Sequence, residues 1–537
     1  MTENAALNNN VVEKKEVLPK LSAGKYDISF ILINAVCGGI AKIASKCADR
    51  VIVPPSAHPL LNISAVEAAE KIRNKQLKSF DLLQAYFARI RDVNPYINAV
   101  TELFEYEALE KAKEVDAYIE TIYGNPGEIE KLRSEQPLFG IPISLKHVFD
   151  YKGHRNIGGL EHRRELPPAE KNCEHIRRVL NAGAIPICFT NVPSGACFFE
   201  SDNTVHGRSC NPFDTRCTPG GSSGGEAALI AAQGSLLGLG TDLGGSIRVP
   251  AMLCGVYGHK PGRTVPDDSL VPPAVANTLY DGFFCGGPLA RYPEDAALLN
   301  AVIFVEPIPK QLSELAPSVL YAAAVDEKPF LVNSNSVRSA YEDAKAFISH
   351  AYNLSIYDFN IQKSLMEYVI LLKSCAFDAD NLANLHEHLM PDGYPVNVFK
   401  ELVKSLVGAS SISPVTLPIL CAFRNRYPES FIKECCRQLH ILRDRWHKAL
   451  KGDVVLVFPA VPETHYFHLS YGILPSMNTL LFNCLGLSSL AVPMGKDKDG
   501  YPLSVQLVGH PDSDNLLFSI AAKMKTQFGG WVKTKDL

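Results

Sequence analysis

The sequence predicts an α/β fold in which one large sheet is buried on both faces by helices. Helical patterns alternate with short apolar runs at 184–189, 454–458 and 503–508. Such alternation is typical of layered folds whose sheet is covered on both sides. Hydrophobic residues make up 46% of the 537 residues and charged residues 20%, which is typical of a globular chain and not of a disordered one. The chain contains no internal repeat, so we expect one large domain.

Charge and cysteine content exclude several classes of protein. The formal net charge is −4 and there is no long basic run, so the electrostatic footprint of a nucleic-acid-binding protein is missing. The 14 cysteines are irregularly spaced and include no Cys-x-x-Cys motif. We therefore expect mostly buried, reduced thiols rather than a disulfide framework.

The N-terminal segment differs from the rest of the chain. Residues 28–41 are an apolar stretch of 14 residues, shorter than the ~20 residues that a spanning helix needs. Lys42, Lys46 and Arg50 then recur at helical spacing, opposite apolar residues, which predicts an amphipathic continuation suited to lipid headgroups. Three interpretations of 28–50 stay open: a helix lying on the membrane, a short single span, and an ordinary buried helix. We expect a membrane-associated, intracellular protein.

Pro54 and Pro55 mark the predicted boundary between two parts of the chain. Residues 1–55 hold the polar N-terminus and the apolar or amphipathic helix. Residues 56–537 are predicted to form a single catalytic domain.

The elements of this domain follow from local patterns. Ser64 and Glu67 form a capping box that opens a helix ending near Arg73. Apolar spacing predicts further helices at 79–93 and 106–122. The nearly all-apolar run 138–146 predicts a buried strand. Further along we expect a helix at 226–233, a short extended piece at 236–239 and a short helix at 247–253.

The chemistry is concentrated between residues 219 and 266. The stretch 219–225 reads PGGSSGG, and 240–250 reads GTDLGGSIRVP. Gly244 and Gly245 free the backbone for a sharp turn, and a helix follows Ser246. Backbone N–H groups and a helix N-terminus around a serine suit an oxyanion hole. Taken alone, the same pattern also fits a glycine-rich turn with an N-capping serine.

A serine nucleophile needs a proton acceptor, and the sequence offers a rival to Ser246. Gly220-x-Ser222-x-Gly224 matches the nucleophile elbow of α/β-hydrolases, with His510 as the candidate base. An elbow sits between a strand and a helix. The polar residues 211–219 do not have the pattern of a strand, so we consider this match weak.

Several separated motifs together resemble the amidase-signature family. They are the glycine-rich stretches around Ser222 and Ser246, 24 residues apart, and the strand 140–146 that ends at Lys146. Supporting blocks occur at 190–193, 287–295 and 506–509. Within the family, 211–214, 235–240 and 258–261 are similar to fatty-acid amide hydrolases of the second vertebrate type and their invertebrate relatives. The resemblance covers about residue 60 to the C-terminus.

This resemblance implies the fold and the site. The fold would be a large, twisted, mixed sheet covered by helices on both faces. The triad would be Lys146, Ser222 and Ser246, with a cis peptide bond before Ser222. Ser246 would attack the amide carbonyl, and Ser222 would relay its proton to a neutral Lys146.

The resemblance also implies supporting residues. The oxyanion donors would be the amides of Leu243, Gly244, Gly245 and Ser246. The residues that support the triad from behind would be Ser223, Asp242 and Arg248. Ala196 would lie near the bound acyl chain. Burial at the end of an apolar strand would lower the pKa of Lys146, as a lysine base requires.

No metal or organic cofactor is required by this chemistry. His386 and His388, and Cys435 and Cys436 with His440, suggest zinc ligands, but neither set is complete. Exposed helix faces are the interpretation we favour for both.

The resemblance and the apolar N-terminus together imply a lipid-amide substrate, and the N-terminal helix would bind a membrane surface. The charge balance predicts no nucleic-acid partner, and a homodimer stays open. A glutaminase-type amidotransferase A subunit is the second hypothesis. That subunit typically has glutamine where Val249 follows Ser-Ile-Arg. A non-catalytic scaffold that kept the fold is the third hypothesis, and the complete Lys-Ser-Ser set argues against it.

Overall fold

The protein is described by a computed structural model. The described residues are 49–266, 282–307, 315–323, 334–359, 428–471 and 474–534, together with isolated positions at 39, 43, 312, 400, 401, 403, 404, 410, 413, 415 and 416.

One mixed sheet of eleven strands runs through the described structure, and a separate pair of strands forms a hairpin beside it. In chain order the strands are β1 (Val100–Leu103), β2 (Pro142–Lys146), β3 (Ile185–Thr190), β4 (Asp202–Asn203), β5 (Gly207–Arg208), β6 (Leu237–Asp242), β7 (Tyr257–Lys260), β8 (Cys285–Ala290), β9 (Val319–Ala323), β10 (Ile356–Phe359), β11 (Val454–Pro459), β12 (Ser488–Lys496) and β13 (Pro502–Gly509).

The spatial order in the large sheet is β1-β3-β2-β6-β8-β7-β12-β13-β11-β9-β10. Strands β3, β2 and β6 are mutually parallel, as are β11, β9 and β10, and the strands between these groups pair antiparallel. The predicted mixed α/β architecture is therefore present.

Helices cover both faces of this sheet. They are α1 (Ala65–Arg73), α2 (Ser79–Ile97), α3 (Glu105–Ile122), α4 (Pro126–Glu135), α5 (Glu174–Asn181), α6 (Gly224–Ala231), α7 (Arg248–Cys254), α8 (Pro293–Phe304), α9 (Asn335–Tyr352), α10 (Glu429–Ala449), α11 (Met477–Cys484) and α12 (Asp514–Phe528). Successive residues of β8 show the two layers. A Cβ at Gly286 would contact His175 on α5, whereas a Cβ at Gly287 would contact Ile247, just before α7.

Most predicted helices are present within a few residues. Ser64 caps α1 by accepting a hydrogen bond from the amide of Glu67 at 3.0 Å. The helix predicted at 79–93 continues to Ile97, where Asn98 ends it in a left-handed conformation. The helix predicted at 226–233 instead spans Gly224–Ala231, because Gln233 is left-handed with φ of 64°.

Two predicted strands have different bounds. The run 138–146 was too long as a strand, because Gly140 adopts a φ of +78° and turns the chain before Pro142. The piece predicted at 236–239 was too short. It continues to Asp242 because Gly240, Thr241 and Asp242 still pair with β8.

Most of the predicted membrane segment lies outside the described residues. Of 28–50, only Gly39, Ile43, Asp49 and Arg50 are described. Where the described chain enters the domain, Arg50 forms a salt bridge with Asp214 at 3.4 Å. In the part of the chain that the structure describes, no helix is both long and apolar enough to cross a membrane.

The cysteine prediction is confirmed where it can be examined. All ten described cysteines are free thiols, and most of them are buried. Cys435 is buried within α10, so its predicted exposed helix face was wrong, whereas His440 is exposed. His386 and His388 lie outside the described residues.

Candidate active site

The site lies where two neighbouring parallel strands end. Strands β2 and β6 pair in parallel, with Leu145 opposite Leu239. Lys146 ends β2 and Asp242 ends β6. Because parallel strands finish at the same edge of a sheet, ligands bind outside their carboxyl ends. The loops that hold Ser222 and Ser246 reach this same edge.

Lys146 carries a buried amine whose side-chain hydrogen-bond partners are uncharged hydroxyls. Its exposed fraction is 0%. Its Nζ atom lies 2.6 Å from Ser222 Oγ and 2.8 Å from Thr241 Oγ1. Burial lowers the pKa of Lys146 from 10.5 to about 7, although the carboxylates of Asp242 and Glu226 act to raise it. A lysine in these surroundings is a free amine for much of the time near neutral pH.

Ser222 is held in a crowded loop. The Gly221–Ser222 peptide bond is cis. A Cβ at Gly221 would lie 2.8 Å from the carbonyl carbon of Phe199, so only glycine fits against the backbone of that segment. The Ser222 side chain in this loop contacts Lys146.

Ser223 joins the loops of the two serines. Its amide donates a hydrogen bond to the carbonyl of Ser246 at 3.0 Å. Its Oγ lies 3.4 Å from the carbonyl of Thr241. Ser246 itself is 8% exposed. Within the described residues, no hydrogen bond connects Ser246 Oγ to Ser222 Oγ.

The backbone before Ser246 has a conformation that glycine permits. Gly245 has a φ of +126°, and a Cβ there would lie 2.1 Å from Thr479 Oγ1. The peptide between Gly244 and Gly245 is held on both sides. Thr479 Oγ1 donates to the Gly244 carbonyl at 2.7 Å, and the Gly245 amide donates to Asp242 Oδ1 at 2.8 Å.

The four predicted oxyanion donors differ in whether their backbone amides already donate a hydrogen bond. The Gly245 amide is already bonded to Asp242, so its predicted place as an oxyanion donor is not supported by the arrangement. Among the described residues, the amides of Gly244 and Ser246 have no protein acceptor. Leu243, the fourth predicted donor, is half-buried.

Asp242 and Arg248 form a fully buried pair behind this loop. Arg248 Nε and Nη2 donate to the two carboxylate oxygens at 3.1 and 3.0 Å. Asp242 also accepts from the amide of Ile247 at 3.1 Å. Burial alone would raise the pKa of Asp242, but the Arg248 guanidinium holds it well below its usual range. The carboxylate is thus a fixed negative charge that organises the turn.

Four residues of the site were not found from the sequence. Thr241 and Glu226 lie near Lys146, and Thr479 and Asn483 on α11 support the loop of Ser246. Asn483 donates to Asp242 Oδ1 at 2.9 Å and accepts from Arg248 at 2.6 Å. Glu226 had a signal, because it is the one charged residue of a helix that is otherwise glycine and apolar. The two residues of α11 had none, since they lie more than 230 positions from Ser246.

Ala196 lies on the loop after β3. Its φ is +56° and its side chain packs against the main hydrophobic core. The next residue, Cys197, is half-buried and interacts electrostatically with Lys146. This loop therefore passes close to the lysine.

The elbow hypothesis is not supported by the structure. Residues 211–223 contain no strand, so Ser222 does not stand on a strand-to-helix turn. His510 is paired with Asp512, at 3.3 Å between Nδ1 and Oδ2. The hydrogen-bond partner of Ser222 Oγ is Lys146.

The described chain contains no group of three or more His, Cys, Asp or Glu side chains arranged to hold a metal ion.

Comparison with known proteins identifies the family to which the chain belongs. The family model described as Amidase matches residues 81–518. Fatty-acid amide hydrolase 2-A of Danio rerio is 31% identical over 508 residues, covering 89% of this chain and 91% of the relative. Fatty-acid amide hydrolase 2 of Homo sapiens is 31% identical over 520 residues, covering 93% and 94%.

The fold is shared with solved structures. One described as fatty acid amide hydrolase has a TM-score of 0.71 at 20% identity, and the match covers 98% of this chain and 95% of that one. At that identity the likeness shows the fold alone. The family match and the two relatives go further: the chain belongs to the amidase family and is an enzyme that hydrolyses amide bonds.

Proposed function

We propose that the protein is a serine amidase that hydrolyses fatty-acid amides, such as N-acylethanolamines and primary fatty amides, through an acyl-enzyme on Ser246. The observation that supports it most is the contact of 2.6 Å between the buried Lys146 amine and Ser222 Oγ. The triad is Lys146, Ser222 and Ser246.

In acylation, Ser246 Oγ attacks the amide carbonyl carbon. Ser222 takes the proton of Ser246 and gives its own proton to Lys146 Nζ, so the lysine becomes an ammonium. The tetrahedral intermediate then collapses. The proton returns from Lys146 through Ser222 to the leaving nitrogen, the C–N bond breaks and the amine departs. Water attacks the acyl-enzyme by the same proton route and releases the acid.

The relay needs Ser246 Oγ and Ser222 Oγ to meet. Catalytic hydrogen bonds are often long in ligand-free enzymes and tighten when substrate binds. The bond from the Ser223 amide to the Ser246 carbonyl keeps the two loops adjacent.

The negative oxygen of the intermediate would be bound by backbone amides. The amides of Gly244 and Ser246, with that of Leu243, are the donors we assign. Gly245 instead anchors the turn to Asp242. Removing one such donor typically costs about 10²–10³ in kcat.

The lipid-amide substrate is supported by two observations. The two relatives described above, at 31% identity, are both named fatty-acid amide hydrolases. Apolar side chains also surround the turn before the nucleophile, since Phe199 and Leu480 are the nearest neighbours of a Cβ at Gly244. We assign Ala196 to the acyl-binding wall.

We propose that residues 56–537 act as one catalytic domain and that 28–50 attach it to an intracellular membrane surface. A chain beginning at Pro54 should then lose its binding to phospholipid vesicles, which flotation measures. Equal flotation of both forms would contradict the attachment. Sedimentation of the full chain tests whether it is a homodimer.

The decisive experiment is hydrolysis of a substrate panel with the Ser246→Ala variant as control. Long-chain acyl amides should be cleaved with the highest kcat/KM. Preference for glutamine would support the glutaminase hypothesis, against which Val249 argues. Absence of any Ser246-dependent hydrolysis would support the scaffold hypothesis.

A further inference from the structure

Glu226 is a buried acid in an apolar helix. Helix α6 has the sequence GGEAALIA, and the Glu226 side chain has an exposed fraction of 0%. A buried carboxylate is normally neutralised by a cation. Among the described residues, Glu226 forms no salt bridge.

Its hydrogen-bond partners are two hydroxyl groups. Thr190 Oγ1 donates to Glu226 Oε1 at 2.8 Å, and Ser144 Oγ lies 2.5 Å from Oε2. Ser144 Oγ also lies 3.1 Å from the carbonyl of Leu237. The serine hydroxyl thus has two acceptors within reach but only one hydrogen to donate.

This arrangement can satisfy both charge states of Glu226. When the acid is ionised, Ser144 donates to it. When the acid is protonated, Glu226 donates to Ser144 Oγ, and the serine hydrogen turns to the Leu237 carbonyl. The two states differ by one hydroxyl rotation.

The network lies next to Lys146. Ser144 and Lys146 are two residues apart on β2, so their side chains emerge on the same face of the sheet. Glu226 and Lys146 also interact electrostatically. Burial raises the pKa of Glu226 to about 8.

The other titratable groups near the pair hold one charge state at neutral pH. Asp242 stays ionised beside Arg248. The pKa values of the Cys188 and Cys197 thiols are raised by burial, so both remain neutral. Helix α6 contributes no other titratable group. Glu226 is therefore the neighbour of Lys146 whose charge changes close to neutrality.

We propose that Glu226 is a positioning residue that sets the basicity of Lys146, and that Ser144 lets it hold either charge state. At pH values below the ionisation of Glu226, Lys146 lies next to a neutral acid. At higher pH, the Glu226 carboxylate makes Lys146 a stronger base. The proposal rests on the proposed function, because it requires Lys146 to activate Ser246 through Ser222.

The test is the rate of Ser246 labelling by a fluorophosphonate, measured from about pH 5.5 to about pH 10, a range around the ordinary lysine pKa. The wild-type rate should rise in two steps, the macroscopic ionisations of a coupled pair. In Glu226→Gln only the lower step should remain. Ser144→Ala and Thr190→Val each remove a donor to the ionised acid, so the upper step should move to higher pH by roughly one unit.

The outcomes separate the inference from the proposed function. Two unchanged steps in Glu226→Gln would overturn the inference and leave Glu226 a packing residue. If Glu226→Gln does not fold, an upper step that stays in place in both Ser144→Ala and Thr190→Val overturns it equally. Labelling at another residue, or a wild-type profile that Lys146→Ala leaves unchanged, would instead contradict the proposed function.

Discussion

Two fully buried carboxyl groups, Asp242 at the end of β6 and Glu226 on α6, have pKa values shifted in opposite directions. Asp242 accepts two hydrogen bonds from the Arg248 guanidinium, which holds its pKa well below the usual range against the effect of burial. Glu226 has only the hydroxyls of Ser144 and Thr190, and burial raises its pKa to about 8. Two equally buried carboxyl groups thus have pKa values shifted in opposite directions, because Asp242 has a guanidinium partner and Glu226 has only hydroxyl partners.

The two carboxyl groups consequently have different proposed roles. A fixed charge orients a backbone, and Asp242 binds the amides of Gly245 and Ile247 at the turn before the helix. A charge that changes near neutral pH alters its neighbour, and the neighbour of Glu226 is Lys146.

The largest loss of activity is expected on removing the amine of Lys146, the neighbour of Glu226. Lys146→Ala should lower kcat/KM by roughly 10²–10⁴, the range for a general base, with the greatest loss near neutral pH. Stability should hold, because burying an amine costs free energy that alanine avoids. Steady-state kinetics across pH, with urea unfolding as the control, measures both. A pH profile identical to wild type would contradict the assignment of the base.

Removing the cation on the Asp242 side should have the next largest effect. Arg248→Met leaves Asp242 as buried and as unpaired as Glu226, and should cost roughly 3–5 kcal/mol of unfolding free energy. Arg248→Lys keeps the charge but not the two-pronged donor, so it should fall between wild type and Arg248→Met. Urea unfolding measures both variants. An unchanged midpoint in Arg248→Met would show that the ion pair does not stabilise the fold.

A smaller effect is expected where α11 contacts the turn. Thr479→Val keeps the branched shape beside Gly245 but removes the donor to the Gly244 carbonyl. We expect a roughly tenfold loss of kcat with KM little changed, the size of one net hydrogen bond. Thr479→Ser retains the donor and should keep most of the activity. Equal losses in the two variants would mean that packing, not the hydrogen bond, is what matters.

The sequence predicted much of this site because its motifs are local. Ser222 and Ser246 are each flanked by glycines, and Lys146 ends an apolar run, so each side chain could be named before its neighbours were known. The strand bounds were less accurate, because Gly140 turns the chain inside an apolar run that strand patterns alone do not divide.

What the sequence could not supply was the partnership between distant segments. Thr479 and Asn483 reach the turn of Ser246 only because the sheet folds α11 against it. The hydrogen bond from the Gly245 amide to Asp242 was likewise not predictable, because the orientation of that peptide depends on Asp242 and on Thr479 together.

The dependence of stability on pH compares the two carboxyl groups directly. The raised pKa of Glu226 means that its stabilising contribution is complete below its unfolded pKa of 4.5 and is lost as pH rises through about 8. The lowered pKa of Asp242 means that its contribution is present above 3.8 and is lost on acidification. Glu226→Gln should therefore reduce the change of the urea midpoint with pH between about pH 4.5 and about pH 8. The loss of stability below about pH 4, which comes from Asp242, should be unchanged. If Glu226→Gln instead removed the loss of stability at acid pH, the opposite pKa shifts assigned to Glu226 and Asp242 would be contradicted.

The residue that a fluorophosphonate labels tests whether Ser246 is the nucleophile. Mass spectrometry of the labelled wild-type protein should place the adduct on Ser246. Ser246→Ala should take up no label, and Lys146→Ala should take it up far more slowly than wild type. An adduct on Ser222, or labelling that persists in Ser246→Ala, would contradict the account.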